Sequence, residues 1–149
     1  MKWVTRRNIR VNRTATAWPI RRFIDPAAAF LFVEPDQVAE VQRREAARGF
    51  DAPGASYPHV DDAGRCSFEA LVDEYRPGDA ALRALARIVR GADFADQIDL
   101  TPESAGLRAI SQGFPLVACD DHETVEKASF LYDALYAFLS GRDADGRQR

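Results

Sequence analysis

The sequence predicts an α+β domain in which a small sheet is covered by several helices, the last of them long. Three observations carry that expectation. Two short runs rich in β-branched and aromatic residues, Lys2 to Arg7 and Ala29 to Val33, read as strands. Apolar residues recur at three- and four-residue spacing from Leu82 to Val89 and from Val125 to Leu139, which is the stripe of a helix with one face in a core. A hydrophobic fraction of 46%, with nine Phe in 149 residues, supplies the apolar volume of one domain.

The elements follow in order. After the strand at Lys2 to Arg7, Thr16 offers a cap and Pro19 fits a first helical turn, so Ala17 to Ile24 reads as a short helix that Asp25-Pro26 ends. Ala29 to Val33 is the second strand. Pro35-Asp36 starts a helix with Val38, Val41 and Ala46 on its apolar side and Gly49 as its stop. From Phe50 to Arg65, turn signals at Asp51-Ala52-Pro53-Gly54 and Asp61-Asp62-Ala63-Gly64 predict a loop or short edge strand. Cys66-Ser67-Phe68-Glu69 opens a helix with Ser67 available as a cap, and Asp79 caps the next, which ends near Gly91. Thr101-Pro102 begins another that continues through Leu107 and Ile110 to Gly113. Asp120 or Asp121 caps the last helix, with Glu123 in the capping-box position. Residues 1–141 are expected to form a single domain and residues 142–149 a flexible polar tail.

Charge is unevenly distributed. The net charge is -3, yet residues 1–24 hold seven of the 20 basic side chains and none of the 23 acidic ones. That block is either an anion-binding surface or a segment that lies against the acidic remainder. An acidic domain without an RNA-binding signature speaks against nucleic acid as a partner. No apolar run approaches the ~20 residues of a membrane span and no signal segment precedes the fold, so a cytoplasmic location is expected. Cys66 and Cys119 are then thiols of a reducing compartment.

The groups that could carry chemistry are few. His122, Glu126, Ser129 and Asp133 share one edge of the last helix, and His122 with Glu126 at four-residue spacing can grip a divalent ion such as zinc, iron or manganese. The bland alternative is a capped, hydrogen-bonded histidine. The second histidine of the zinc-peptidase helix is absent. His59 and Cys66 are the further donors, although their separation is not that of a zinc knuckle. Cys66 stands at a helix start, where backbone dipoles favour a thiolate, or it is a small buried residue. Arg21, Arg22 and Arg90 can clamp an oxyanion or can pair with the acidic half. Asp93, beside Arg90, and Asp121, beside His122, are the carboxylates that accompany these groups. No phosphate loop or nucleophile elbow is present.

Six motifs stand in order: Lys2-Trp3-Val4-Thr5-Arg6, Ile20-Arg21-Arg22-Phe23-Ile24-Asp25, Cys66-Ser67-Phe68-Glu69, Val89-Arg90-Gly91-Ala92-Asp93, Asp120-Asp121-His122-Glu123 and Tyr132-Asp133-Ala134-Leu135-Tyr136. In that order they resemble the C-terminal domain of the ChrB-type chromate-resistance proteins across nearly the whole chain. The resemblance implies a bacterial cytoplasmic protein linked to chromate resistance, found alone or behind another domain, and no particular reaction. The family pattern Asp-Arg-x-Ala-Cys-Pro-Trp-Leu-Ile-Arg-Arg-Phe is matched by a segment with Asn12 for the aspartate and Thr16 for the cysteine.

The expected function is therefore that of a metal- or oxyanion-responsive protein. Its His/Cys/carboxylate site would gather His122, Glu126, Cys66 and His59, with chromate or another oxyanion held by the arginines. Two other readings stand beside it. Phe130 and Ala134 lie off the main stripe of the last helix and could meet a partner or a second copy. Cys66 could serve a thiol-dependent redox or sulfur-transfer enzyme. Whether the protein is an enzyme is left open.

Overall fold

The computed structural model describes residues 1–141, so the tail expected over 142–149 lies outside the described residues. Strand β1 (Lys2–Arg6) is central, pairing in parallel with β2 (Ala29–Val33) on one side and with the two-residue β3 (Arg48–Gly49) on the other. The register sets Trp3 opposite Phe30 and Arg48, and Val4 opposite Leu31 and Gly49. Successive strand side chains point to opposite faces. Trp3 and Phe30 accordingly enter one core with Ile20, Phe50, Leu71 and Val125, while Val4 enters another with Val38 and Val41. A parallel sheet with both faces buried needs helices on both sides, and this chain supplies them.

Helix α1 (Val11–Pro19) follows β1 and runs into a π-helical turn over Ile20–Ile24. The sequence places its start at Ala17; the structure starts it at Val11. Thr16 is no cap, because its hydroxyl is buried against Asn12 and Ser67. Pro19 sits at the end of the helix and not in its first turn. It lacks an N–H, the ladder widens there, and the Asp25 N–H donates to the Ile20 carbonyl five residues back at 2.6 Å.

A 3₁₀ turn at Pro35–Gln37 leads into α2 (Val38–Arg44), which stops short of Gly49. The turn out of it is made by Ala46 at φ 51°, and Gly49 is a strand residue against which Gln42 packs. A Cβ at Gly49 would stand 2.4 Å from Gln42 Oε1, whose oxygen accepts the Gly49 N–H.

Helix α3 (Ser67–Tyr75) is capped by Cys66 and not by Ser67: the thiol accepts the Glu69 N–H, and the Glu69 carboxylate accepts the Cys66 N–H at 2.9 Å. Asp79 caps α4 (Ala80–Asp93) as expected, accepting the Leu82 N–H at 3.0 Å. Gly91 does not end α4. It lies where α4 meets α5 (Ser104–Val117), so closely that a Cβ there would fall 2.2 Å from Ser104 Oγ. Helix α5 also passes Gly113 and Pro115 before it ends. The long α6 (Asp121–Ser140) starts as its sequence predicts, with Asp120 accepting the Glu123 N–H at 2.8 Å.

A third core joins the helices: Trp18 of α1, Phe68 and Val72 of α3, Leu82, Leu85 and Val89 of α4, Leu107 of α5 and Tyr132 of α6. Each such side chain contributes about 1.5–3 kcal/mol through its burial. The helix-spaced pattern of α4 and α6 is thereby explained. Among the described residues no helix is long and apolar enough to cross a membrane.

Candidate functional site

Strands β1 and β3 end side by side, and parallel sheets present ligand sites beyond the carboxyl ends of their strands. Arg6 closes β1, and Asp51 follows β3 by two residues. Asp51 is buried and adopts φ 50°, a left-handed conformation that costs about 1–3 kcal/mol in a residue other than glycine. Its surroundings hold it there. Arg6 Nε donates to the Asp51 carbonyl at 2.7 Å, Arg6 Nη2 to Oδ2 at 3.2 Å, and Asn12 Nδ2 to Oδ1 at 3.1 Å. His59 Nδ1 meets Oδ1 at 2.7 Å, and Arg13 Nε lies 3.8 Å from Oδ2.

The last residue of α4, Asp93, is the second carboxylate of the cluster. Its Oδ2 is buried and has no hydrogen-bond partner; His59 Nδ1 lies 3.9 Å away. Burial pushes the Asp93 carboxyl above its ordinary range, and the charge of Asp51 pushes the same way, against His59, Arg13 and Arg6. The hydrogen bond from Asp51 raises the His59 imidazole above its ordinary value, with burial opposing and the charges of both aspartates assisting. The His59 ring stacks on Phe94 at 5.4 Å. Burial works against the charge on Arg13 and Asp51 supports it; an arginine stays protonated in either case.

A cavity of about 180 Å³ opens beside the two carboxylates, several times the ~30 Å³ share of a water molecule. Arg6, Arg10, Arg13 and Arg108 ring it, with Asn12, Ser111 and Gln112 among the other lining residues. Arg108 is fixed by a 3.0 Å hydrogen bond to the Ala92 carbonyl. The Arg10 carbonyl accepts from the Thr14 N–H and hydroxyl, while its guanidinium has no hydrogen-bond or ion-pair partner among the described residues. Val11, Asn12 and Arg13 bring the first turn of α1 to the cavity, and neither a capping side chain nor an acidic residue satisfies that helix end. Four guanidiniums and the two carboxylates thus line one cavity at the first turn of α1.

The residues put forward from sequence are placed differently. His122 lies at the surface, edge-on to Phe32 at 4.9 Å. Glu126 pairs with Arg21, which also stacks on Phe30 at 5.0 Å. Arg22 lies 3.5 Å from Asp133, so the edge of α6 does gather the arginines, but in balanced pairs along a groove lined also by Trp18 and Ser129. Arg90 is held by Glu69 at 2.7 Å, by the Gly64 carbonyl at 3.0 Å and by Gln97 at 2.9 Å. Asp121 accepts the N–H groups of Asn8 and Ile9, both at 2.9 Å, and ties the end of β1 to α6. Cys66 is in the helical core, and burial, with the charge of Glu69, pushes its thiol up to about 12.

Of the residues named from sequence, His59 and Asp93 meet, as do Arg21 and Glu126. His122, Glu126 and Cys66 each have another partner, and among the described residues no set of three or more His, Cys, Asp and Glu side chains is arranged to hold a metal ion. Asp51, Arg108 and the role of Asn12 were missed: Asp51 looked like a turn residue, and Arg108 stood alone on a helix. The signal for Arg6, Arg10 and Arg13 was the basic block itself.

A small parallel sheet whose strand ends meet a polar cavity lined by arginines and aspartates, inside a layer of helices, defines an α+β class of domain. Within that class the chain belongs to the ChrB C-terminal domain family, which it matches over residues 3–139. Protein ChrB of Cupriavidus metallidurans is 34% identical over 142 residues, an alignment covering 93% of this chain and 41% of that protein. The chain thus spans about two-fifths of the length of that relative. No solved structure matches it.

Proposed function

We infer that the domain is an oxyanion-responsive unit of chromate resistance, and that a small tetrahedral oxyanion such as chromate binds in the cavity ringed by Arg6, Arg10, Arg13 and Arg108. One observation carries the reading: the Arg10 guanidinium lines that cavity with no partner among the described residues, while Arg21, Arg22 and Arg90 are each paired with an acid. Membership in a family of chromate-resistance proteins supplies the class of anion. The reading uses no metal, because the proposed donors are engaged elsewhere. Binding would be read out by the elements that meet at the cavity: the end of β1, the first turn of α1, the end of α4 and the middle of α5.

Titration calorimetry with chromate tests this. Arg10→Ala removes a guanidinium that holds no other residue, so the fold should persist and affinity should fall about tenfold or more, the loss of one charge-assisted hydrogen bond. Absence of chromate binding, or equal affinity in Arg10→Ala and the unaltered protein, would overturn the reading.

A second reading is favoured by the surface around Phe130, which is 81% exposed, and by Leu116 and Val117, each 83% exposed at the end of α5. Such a surface suits association with a second copy. Sedimentation that stays monomeric at high concentration, with no gain in solubility from Phe130→Glu, would dispose of it.

A further inference from the structure

We propose that the cavity selects an oxyanion that brings one proton with it, that Asp93 Oδ2 shares this proton with a ligand oxygen, and that fully ionised oxyanions such as sulfate are rejected. This rests on the reading of the cavity as an oxyanion site and names the class of anion it takes.

The two carboxylates of the wall are not equivalent. Asp51 is saturated: Oδ1 is engaged by Asn12 and His59, and Oδ2 by Arg6, with Arg13 close by. Asp93 lines the same cavity with Oδ2 buried and unpartnered, and His59, whose Nδ1 lies 3.9 Å away, is already committed to Asp51 through that atom. The guanidiniums can only donate and so match the bare oxygens of any anion. Asp93 Oδ2 can only accept when ionised, and an acceptor set against an anion's oxygens repels them unless a proton lies between. A shared proton turns that repulsion into a short charge-assisted hydrogen bond.

The groups around Asp93 allow the proton to stay. Arg6 from β1, Arg13 from α1 and His59 favour its ionised form; burial and Asp51 oppose them and hold the carboxyl above its ordinary range. Arg108 from α5 is anchored on the neighbouring Ala92 carbonyl, and Cys66 from α3 and Tyr132 from α6 are both protonated neighbours, each held so mainly by burial. Whether the proton rests on Asp93 or on the ligand, the complex contains one per anion. Phosphate carries at least one proton near neutral pH, and chromate takes one up just below it. Sulfate, the anion of a strong acid, does not.

Calorimetry with phosphate, sulfate and chromate tests the proposal on the whole chain. Phosphate should bind at least about tenfold tighter than sulfate, because a site built around a hydrogen bond rejects the analogue lacking it. Chromate affinity should fall as the pH rises, by up to about tenfold per unit for one linked proton. Asp93→Asn offers an amide donor in place of the acceptor, so it should bind sulfate more tightly and flatten the pH dependence. Should that variant not fold, the buffer dependence of the binding heat of the unaltered protein still counts the proton. Equal binding of phosphate and sulfate, with sensitivity to Arg10→Ala retained, overturns this proposal and leaves the oxyanion reading standing. Failure of every oxyanion to bind overturns both.

Discussion

The Thr16 hydroxyl donates to the side-chain carbonyl of Asn12, one turn back on α1, at 3.4 Å, and the Asn12 amide in turn donates to Asp51 Oδ1 at 3.1 Å. Both stand where the chain departs from the pattern it resembles, and they form one hydrogen-bonded unit, extended by Ser67 at 3.0 Å from Thr16. The Asn12 amide and the Thr16 hydroxyl together serve Asp51. Asn12→Asp should therefore remove a donor and add a like charge beside a buried carboxylate, destabilising the fold by about 1–3 kcal/mol near neutral pH. The new pair would share a proton, so its folded-state pKa rises above the unfolded value. The fold is then restored at low pH and weakened as pH climbs through that pKa. Urea unfolding at two pH values measures this; equal losses at both would refute it.

His59 should titrate above the ordinary histidine value of about 6.5, because Asp51 stabilises its protonated form. A folded-state pKa raised in this way contributes stability that is complete below the unfolded value and disappears as pH rises through the folded one. Two-dimensional NMR of the imidazole measures it directly, and Asp51→Asn should move the titration downward. A His59 pKa unchanged by that substitution would remove Asp51 as its cause.

Gly91→Ala should destabilise the protein although alanine is the better helix former by about 1 kcal/mol. The added Cβ falls 2.2 Å from Ser104 Oγ and 2.8 Å from Ser104 Cβ, within the buried crossing of α4 and α5. Overpacking of that kind costs about 1–3 kcal/mol. The paired change Gly91→Ala with Ser104→Gly should recover part of the loss, and a thermal melt of Gly91→Ala at or above the parent midpoint would contradict the packing account.

The sequence-legible part of the fold is the part governed by local pattern. The stripes of α4 and α6, the caps at Asp79 and Asp120, and the strands β1 and β2 follow from spacing and side-chain type alone. What local pattern misreads is decided by tertiary contact. Gly91 looks like a helix stop until Ser104 is set against it, and Ser67 looks like a cap until its hydroxyl reaches Thr16. Of the cavity lining, the surplus of arginine near the N-terminus and Asp93 were legible in the sequence. The choice of arginines was not, because Arg21 and Arg10 differ only in whether an acid from α6 arrives to pair with them. Asp51 gave no signal, since its left-handed backbone and its ring of partners come from segments far apart in the chain.

Cys66 should behave as an inert structural thiol. The helix start that could have favoured a thiolate is offset: the residue is fully buried, Glu69 lies next to it, and burial with that charge pushes the thiol up to about 12. Its sulfur is occupied in accepting the Glu69 N–H as the cap of α3. In a Cys119→Ser background, which removes the exposed second thiol, alkylation near neutral pH should be slow, should not respond to chelator, and should speed up only in denaturant. Cys66→Ser should keep the cap, while Cys66→Ala should lose it at a cost of about 1 kcal/mol beyond any cavity effect. Rapid alkylation of the folded protein would favour thiol chemistry at Cys66, and alkylation released by chelation would place a metal on it; either result would contradict a buried capping role.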